Sequence, residues 1–131
     1  MKLIQESGSR KRAVARATLF EGAGVVRINK QLVSSMPENL YRAKIEEPLI
    51  LAGDTAKKVN INITVNGGGM NAQAEAARQA IAKALTHYDK KLHSMYLEYD
   101  RALLVADVRR KETHKPNCHG KARAKRQKSY R

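Results

Sequence analysis

One stretch near the middle of the chain constrains the fold more than any other: an alternating strand, three glycines and an alanine-rich helix follow one another directly. Apolar and polar residues alternate over residues 59–66, which is typical of a strand with one buried face and one face that is wet or bound. Three glycines occupy 67–69, and a helix capped by Asn71 is predicted to run to about Leu85. Its seven alanines give high helix propensity and a slim surface, so this helix should pack closely on a sheet.

The first third of the chain carries signals for a hairpin and a short helix. Residues 12–21 alternate well enough for a strand, and a glycine turn separates them from a second apolar run at 25–28, which predicts a β-hairpin. Ser35 and Glu38 have the spacing of a capping box, so a helix of two to three turns is expected before Pro48.

Two further elements are predicted in the last third. Apolar residues recur with helical spacing over 89–99, and the short apolar run 102–106 has strand length. On the alanine-rich helix, Glu75, Arg78 and Lys83 are expected to point outward. With 131 residues in all, these elements predict a single folded domain, residues 1–108.

Positive charge is concentrated at the end of the chain. Residues 109–131 hold ten Lys or Arg and one acid, which is +9 of the total +14, whereas residues 1–108 hold 16 bases and 11 acids. This predicts an extended polybasic C-terminal tail after the domain. A charge of this size favours a polyanionic partner, namely nucleic acid, an anionic membrane surface or an acidic protein. One cysteine and no signal-like or membrane-spanning run predict a cytoplasmic protein.

The tail has two open interpretations: a disordered, solubilising extension, or an arm that folds along RNA. Small and polar residues are interspersed among its cations, which suits a chain that threads between phosphates. The candidate RNA contacts in the tail are Arg109, Arg110, Lys111, Lys115, Lys121, Arg123, Lys125 and Arg126.

The sequence predicts no catalytic site, no cofactor site and no metal site. The glycines at 67–69 lack the following Gly-Lys-Ser/Thr of a nucleotide-binding loop, so they indicate either a tight turn or a contact with RNA phosphate. Cys118 lies near His114 and His119, but tetrahedral zinc normally needs four ligands and there is no second cysteine. The sequence offers no activated nucleophile and no acidic cluster, so a non-enzymatic protein without a cofactor or small-molecule substrate is expected.

Several short motifs, in order along nearly the whole chain, resemble one protein family. The motifs are Gly8–Ala17, Pro48-Leu49, Gly67-Gly68-Gly69 leading into Gln73-Ala74 and Arg78, Tyr99-Asp100-Arg101 with Leu104–Asp107, Arg109-Arg110 with Glu112, and Gln127–Arg131. Together they are similar to the universal small-subunit ribosomal protein number nine. The ending and the Leu-Leu-Val-Ala-Asp stretch resemble its archaeal and eukaryotic branch.

The resemblance implies a fold and a set of partners. The resemblance implies an α+β fold, a mainly four-stranded sheet with helices on one face, like the second domain of ribosomal protein S-five. The implied place is the head of the small ribosomal subunit, with its ribosomal RNA (rRNA) and other head proteins as partners and no membrane. Besides the tail cations, the rRNA contacts that the resemblance implies are Arg10, Lys11, Arg12 and Arg16. Gly67, Gly68 and Gly69 are included as candidate phosphate contacts.

In this family the end of the tail approaches transfer RNA (tRNA) in the peptidyl site. Carried across by position, the matching residues are Gln127, Ser129 and Arg131, and the expected tRNA-binding segment also includes Lys128 and Tyr130. Tyr130 stands where the bacterial pattern has lysine, and a tyrosine can stack or hydrogen-bond but supplies no positive charge. The alternative from charge alone is a free RNA chaperone or another non-ribosomal nucleic-acid-binding protein.

Overall fold

The structure of the chain, a computed structural model, describes residues 2–118, 122, 123 and 130. Five strands form one mixed sheet in the order β1-β2-β5-β3-β4, in which only the β3–β5 pair is parallel. The strands are β1 (Ile4–Arg10), β2 (Ala13–Glu21), β3 (Val26–Ile28), β4 (Gln31–Leu32) and β5 (Val59–Asn66). The predicted α+β class is confirmed, and a two-residue strand at one edge adds to the four strands expected.

The helices form a layer over one face of this sheet. They are α1 (Leu40–Ala52), α2 (Asp54–Lys57), α3 (Met70–Tyr88) and α4 (Leu92–Tyr99), with 3-10 turns at Val33–Ser35 and Arg101–Leu103. None of the helices in the described ranges is long and apolar enough to cross a membrane.

Strand β5 confirms the alternating pattern residue by residue. Val59, Ile61, Ile63 and Val65 are buried, and the polar residues between them lie on the opposite, open face. Helix α3 covers the buried face with its predicted stripe of Ala77, Ile81 and Leu85, which are fully buried. The middle of the chain therefore forms the core that its alternation and alanine content predict.

The predicted hairpin between 12–21 and 25–28 is wrong, because β5 lies between β2 and β3. The glycine turn instead folds over the start of β5: Asn60 Oδ1 accepts the N–H groups of Ala23 and Val25, each at 3.0 Å. The neighbours of β2 are β5 and β1. The sequence interpretation missed β1 because only Ile4 and Gly8 of that strand are buried.

Glycine explains how α3 approaches β1 so closely. A Cβ atom on Gly8 would lie 2.2 Å from the backbone oxygen of Ala76 and 2.7 Å from the nitrogen of Ala80. The helix backbone therefore rests directly on the strand at this point. No other residue type fits there without moving the helix.

Helix α1 begins and ends later than predicted. Its N-cap is Asn39, whose side chain accepts the Arg42 N–H at 3.1 Å, while Ser35 belongs to the preceding 3-10 turn. The capping-box assignment is therefore wrong. The helix also continues through Pro48 to Ala52, and the Pro48 carbonyl accepts a 2.7 Å hydrogen bond from the buried hydroxyl of Tyr96 on α4.

The predicted strand at 102–106 is also wrong. Residues 101–103 form a 3-10 turn in which only Leu103 is buried, and the described residues after it contain no strand. The turn is set by Asp100, whose side chain accepts the Ala102 N–H at 2.9 Å. A short apolar run thus closes the core by inserting one leucine.

One side chain predicted to point outward is instead embedded in the helical layer. Arg78 is only 13% exposed and donates from Nε to Glu47 at 2.6 Å and from Nη2 to Asp100 at 3.0 Å. These ion pairs connect α3 to α1 and to the end of α4. Arg78 therefore holds three helical segments together and does not serve as a surface cation.

Candidate nucleic-acid interface

An open groove of about 690 Å³ lies at the end of the sheet where β2 begins and β5 ends. We call it the basic groove, because six of its ten lining residues are Lys or Arg and none is acidic. Its lining residues are Arg10, Lys11, Arg12, Gly68, Gly69, Ala72, Arg109, Arg110, Lys111 and Thr113. The groove therefore brings together residues from three separate sequence predictions: the cations at 10–12, the glycines and the beginning of the tail.

The glycine segment forms the wall of the groove as a tight turn. Gly67 and Gly68 have φ angles of 77° and 65°, which L-residues with side chains rarely adopt. A Cβ atom on Gly67 would also lie 2.6 Å from the Arg12 carbonyl oxygen. The glycines therefore form the tight turn that one interpretation of the sequence predicts. Because they lie beside the groove, the other interpretation, a contact with RNA phosphate, stays open.

The turn also places the N-terminus of α3 beside the groove. The helix begins at Met70 with Gly69 as its N-cap and no side-chain capping bond, so Asn71 is not the cap that was predicted. The N–H groups of a first helical turn have no partner within the helix. Gln73 Nε2 donates to the Gly67 carbonyl at 3.0 Å and fixes the turn against the helix.

Two of the six cations in the basic groove are neutralised by carboxylates of the same chain. Arg10 is 18% exposed and pairs with Glu75 at 2.7 Å and Asp107 at 3.2 Å. Arg109 donates to Asp107 from its side chain, at 2.6 Å for the closest atoms, and from its backbone N–H at 2.9 Å. The pKa of Asp107 is held well below its usual range, mainly by hydrogen bonds from the Arg109 side chain and also by the bond from the Arg109 backbone N–H.

The other four cations are available to a ligand. Lys11, Arg12, Arg110 and Lys111 are exposed, and no carboxylate pairs with them among the residues that the structure describes. Lys11 has a positive φ of 53° in the tight turn between β1 and β2 and lines the groove. Four free positive charges on one concave surface make the groove strongly attractive to a polyanion.

The remaining predicted contacts lie elsewhere. Arg16 is exposed on the open face of the sheet, opposite Thr64 of β5. Lys115 is exposed beyond the groove, and Arg123 pairs with Glu112, whose pKa that guanidinium lowers. Tyr130 is exposed. Outside the described residues lie Lys121, Lys125, Arg126, Gln127, Lys128, Ser129 and Arg131.

Metal binding finds no support in the described residues. In residues 2–118 and the three described positions beyond them, no group of three His, Cys, Asp or Glu side chains could hold an ion. Cys118 is a half-buried free thiol, and His119 lies outside the described part of the chain.

The fold and the groove together define a small, basic α+β protein with a strongly cationic concave surface. Comparison with known proteins agrees: the family model described as "Ribosomal protein S9/S16" matches residues 8–131. The chain is also 46% identical, over 134 aligned residues and the full length of both chains, to "Small ribosomal subunit protein uS9" of Methanococcus vannielii. The same protein of Methanococcus maripaludis strain C7 has equal identity and coverage.

This chain belongs to the ribosomal protein S9/S16 family. The membership confirms the resemblance that the ordered motifs indicate, and the similar archaeal chains agree with the predicted branch. It also confirms that the protein is a ribosomal protein and not an enzyme.

Proposed function

We propose that this protein is a cytoplasmic structural component of the small ribosomal subunit that docks on rRNA of the head through the basic groove. The observation that carries the proposal is the convergence on one concave surface of four cations, Lys11, Arg12, Arg110 and Lys111, none of which pairs with a carboxylate of the described residues. They come from two segments about 100 residues apart in sequence, and the fold brings them together beside the glycine turn. The match to the family along nearly all of the chain supports the same function.

Docking would work by positioning and not by reading bases. Lysine and arginine contacts to phosphates release counterions and orient a protein on its RNA without carrying sequence information. The guanidinium fork of Arg12 or Arg110 suits two phosphate oxygens at once. The pairing of Arg10 and Arg109 with carboxylates fixes the walls of the groove, so that the free cations are held in place before RNA arrives.

The finer architecture belongs to the same proposal. Residues 1–108 would be the docking domain, of the type of the second domain of ribosomal protein S-five, and residues 109–131 the extended basic tail. The hydrogen bonds of Asp107 with Arg109 support this boundary, since they fix the beginning of the tail to the domain. Lys115, Lys121, Arg123, Lys125 and Arg126 would then follow rRNA away from the groove, with other head proteins as neighbours.

The end of the tail, residues 127–131, would contact tRNA in the peptidyl site. Two features support this: the resemblance of Gln127–Arg131 to the family's ending, and the length of the tail, whose 23 residues can span at most roughly 75 Å. Such a span would reach RNA far from the groove.

The groove is tested by replacing Arg110 and Lys111 together with alanine and measuring rRNA affinity over a range of salt concentrations. The slope of log affinity against log salt should fall in magnitude by about 2, one unit for each lost phosphate contact. Arg101→Ala, which removes an exposed arginine outside the groove, is the matched control and should leave the slope unchanged. An unchanged slope in the double variant would contradict the groove as the docking site.

The tail is tested separately by deleting residues 129–131. Subunits should still assemble with one copy of the protein, but tRNA should dissociate faster from their peptidyl site. Unchanged tRNA dissociation would remove the tRNA contact while leaving rRNA docking intact. Retention of the full chain at one copy per subunit after a moderate salt wash would also separate a structural protein from a freely exchanging RNA chaperone.

A further inference from the structure

The open face of the sheet carries rows of polar side chains that cross several strands. One row is formed by Ser7 of β1, Arg16 of β2 and Thr64 of β5, which are paired in register. All three are exposed. The row places one arginine between two hydroxyl groups.

A second row lies two residues further along the strands. Thr18 of β2 is opposite Asn62 of β5, which is in turn opposite Arg27 of β3. Arg16 and Arg27 thus lie two strands and two residues apart, with Cα atoms roughly 12 Å from each other on ideal sheet spacings. No acidic residue occupies an open-face position of this sheet among the residues described.

The amides and hydroxyls of β5 are free to bind a ligand. In the described part of the chain, the side chains of Asn62, Thr64 and Asn66 form no hydrogen bond, although all three are exposed. Asn60 is different, because its Oδ1 holds the backbone of the segment before β3 and therefore has a structural role. Polar side chains repeat about every 7 Å along the strand and so present a regular line of donors and acceptors.

The chemistry of this face suits the sugar-phosphate backbone better than bases. Surfaces that bind unpaired bases present aromatic side chains for stacking. Here the one aromatic residue on the described face is Phe20, half-buried at the far end and opposite Asn60. Arginine, asparagine and threonine side chains are instead typical phosphate and ribose contacts.

The open face is continuous with the basic groove. The Val14–Asn66 pair lies at the end of the sheet next to Arg12 and Gly67, and the two polar rows follow from there. We propose that the open face is a second RNA-docking surface, which binds the ribose-phosphate backbone of folded RNA along Arg16, Asn62, Thr64 and Arg27. This inference rests on the proposed function and extends it from the groove across the sheet.

The direct test uses a tethered hydroxyl-radical probe in a Cys118→Ser background, so that each variant has one thiol. The probe is attached at Asn62→Cys on the open face, at Lys111→Cys in the groove and at Arg101→Cys on the helical side. Each full-length variant is assembled with small-subunit rRNA. Backbone cleavage from position 62 should be comparable to cleavage from position 111 and several-fold stronger than from position 101.

The outcomes separate the two proposals. Cleavage from position 111 but only background from position 62, or equal cleavage from positions 62 and 101, would overturn this inference and leave groove docking intact. Background cleavage from all three positions would overturn both. In assembled subunits, a short crosslinker at position 62 that joins mainly to another protein would show a protein on this face and would also overturn the inference.

A second measurement tests the charge on the open face. Arg27 forms no ion pair within the described residues, so Arg27→Gln should preserve the fold, as checked by circular dichroism and thermal unfolding. The salt dependence of rRNA affinity should fall by about one unit of slope in this variant and stay unchanged in Arg101→Gln. Equal slopes for Arg27→Gln and the parent chain would contradict a phosphate contact there.

Discussion

The guanidinium group of Arg10 donates from Nε to Glu75 at 2.7 Å, and this ion pair joins β1 to α3 beneath the basic groove. Two further contacts extend it: Arg10 Nη1 lies 3.2 Å from Asp107, and Lys44 Nζ lies 3.1 Å from the other oxygen of Glu75. The network ties a strand, two helices and the root of the tail together. Arg10 therefore acts mainly as a structural cation, although the sequence places it in a basic cluster with Lys11.

Replacing Arg10 should affect stability, and replacing Arg12 should affect RNA affinity. Arg10→Ala removes one of the two cationic partners of Glu75 and one of the two of Asp107, which should lower the free energy of unfolding by about 1–2 kcal/mol after allowance for solvent screening. Arg12→Ala removes an exposed, unpaired cation, so it should leave stability nearly unchanged and reduce the salt dependence of rRNA binding. Urea unfolding and salt titration measure the two effects. Equal stability of the two variants would contradict the structural assignment of Arg10.

Gly8→Ala should be strongly destabilising, because the new methyl group would meet the α3 backbone 2.2 Å away. Overpacking of this kind typically costs about 1–3 kcal/mol and occasionally more. Gly69→Ala is the matched control: its Cβ atom would have no neighbour within 4 Å, so a cost below about 1 kcal/mol is expected. Denaturant midpoints compare the two, and a Gly8→Ala variant as stable as the control would show that α3 does not rest on β1.

The Tyr96 hydroxyl should make the protein sensitive to alkali. Burial raises the pKa of Tyr96 far above its usual value of 10, so folding favours the neutral phenol. Its contribution to stability is complete below pH 10 and is lost as the pH rises from there toward the raised pKa of the folded state. Unfolding measured between pH 9 and pH 11 should show this decline.

The matched variant for this prediction is Tyr96→Phe. It should flatten the alkaline decline and cost about 1–2 kcal/mol at neutral pH, because the buried Pro48 carbonyl loses its donor. Tyr130→Phe, at an exposed position, should change neither quantity. An equally steep decline in Tyr96→Phe would assign the alkali sensitivity to other groups.

Acid should weaken the ion pairs around α3. Partial burial alone would raise the pKa of Glu75, but hydrogen bonds from Lys44 and Arg10 outweigh it and lower the pKa below 4.5. The stability that Glu75 contributes is therefore present above its ordinary pKa and is lost as the pH falls toward the lowered value of the folded state. Glu75→Gln should reduce the slope of unfolding free energy against pH below about pH 4.5.

The control for the acid experiment is Glu38→Gln. Glu38 is exposed and forms no ion pair in the part of the chain that the structure describes, so this variant should retain the acid slope of the parent chain. If Glu75→Gln and the parent lose stability in parallel as the pH falls, the Arg10–Glu75 pair makes no net contribution.

Local patterns predict elements well where one face of an element is buried. The alternation over 59–66 and the stripe of Ala77, Ile81 and Leu85 are such cases, and both are confirmed. The β1 strand escaped detection because α3 lies so close that a glycine replaces the usual apolar side chain. The predicted partner of β2 was wrong because strand pairing depends on a segment more than 40 residues later, which no local pattern reveals.

The residue types of the basic groove were predictable from the sequence, whereas its geometry was not. Charge clustering indicated Lys11, Arg12, Arg110 and Lys111, which the structure brings together, and their contact with RNA stays a prediction. It could not show that Arg10 is paired with carboxylates, since Glu75 and Asp107 are both remote from it in sequence. Asp107 is only two residues from Arg109, but a count of charges does not reveal that the two side chains are paired. In the sequence, only the alternating polar pattern of β5 indicates that Asn62 and Thr64 could form part of a binding surface. That pattern does not distinguish a face that contacts water from one that contacts a ligand.

The position of β5 has a consequence for synthesis. It is the last strand along the chain but the third across the sheet, so it joins the β1–β2 pair to the β3–β4 pair. A nascent chain must therefore emerge through Asn66, about half its length, before either pair gains its central neighbour. Until then, β2 and β3 each present an unpaired strand edge, and exposed edges of this kind are prone to aggregation. The sheet therefore cannot close before β5 has emerged, and translation that stalls before residue 59 would release a fragment with both edges open.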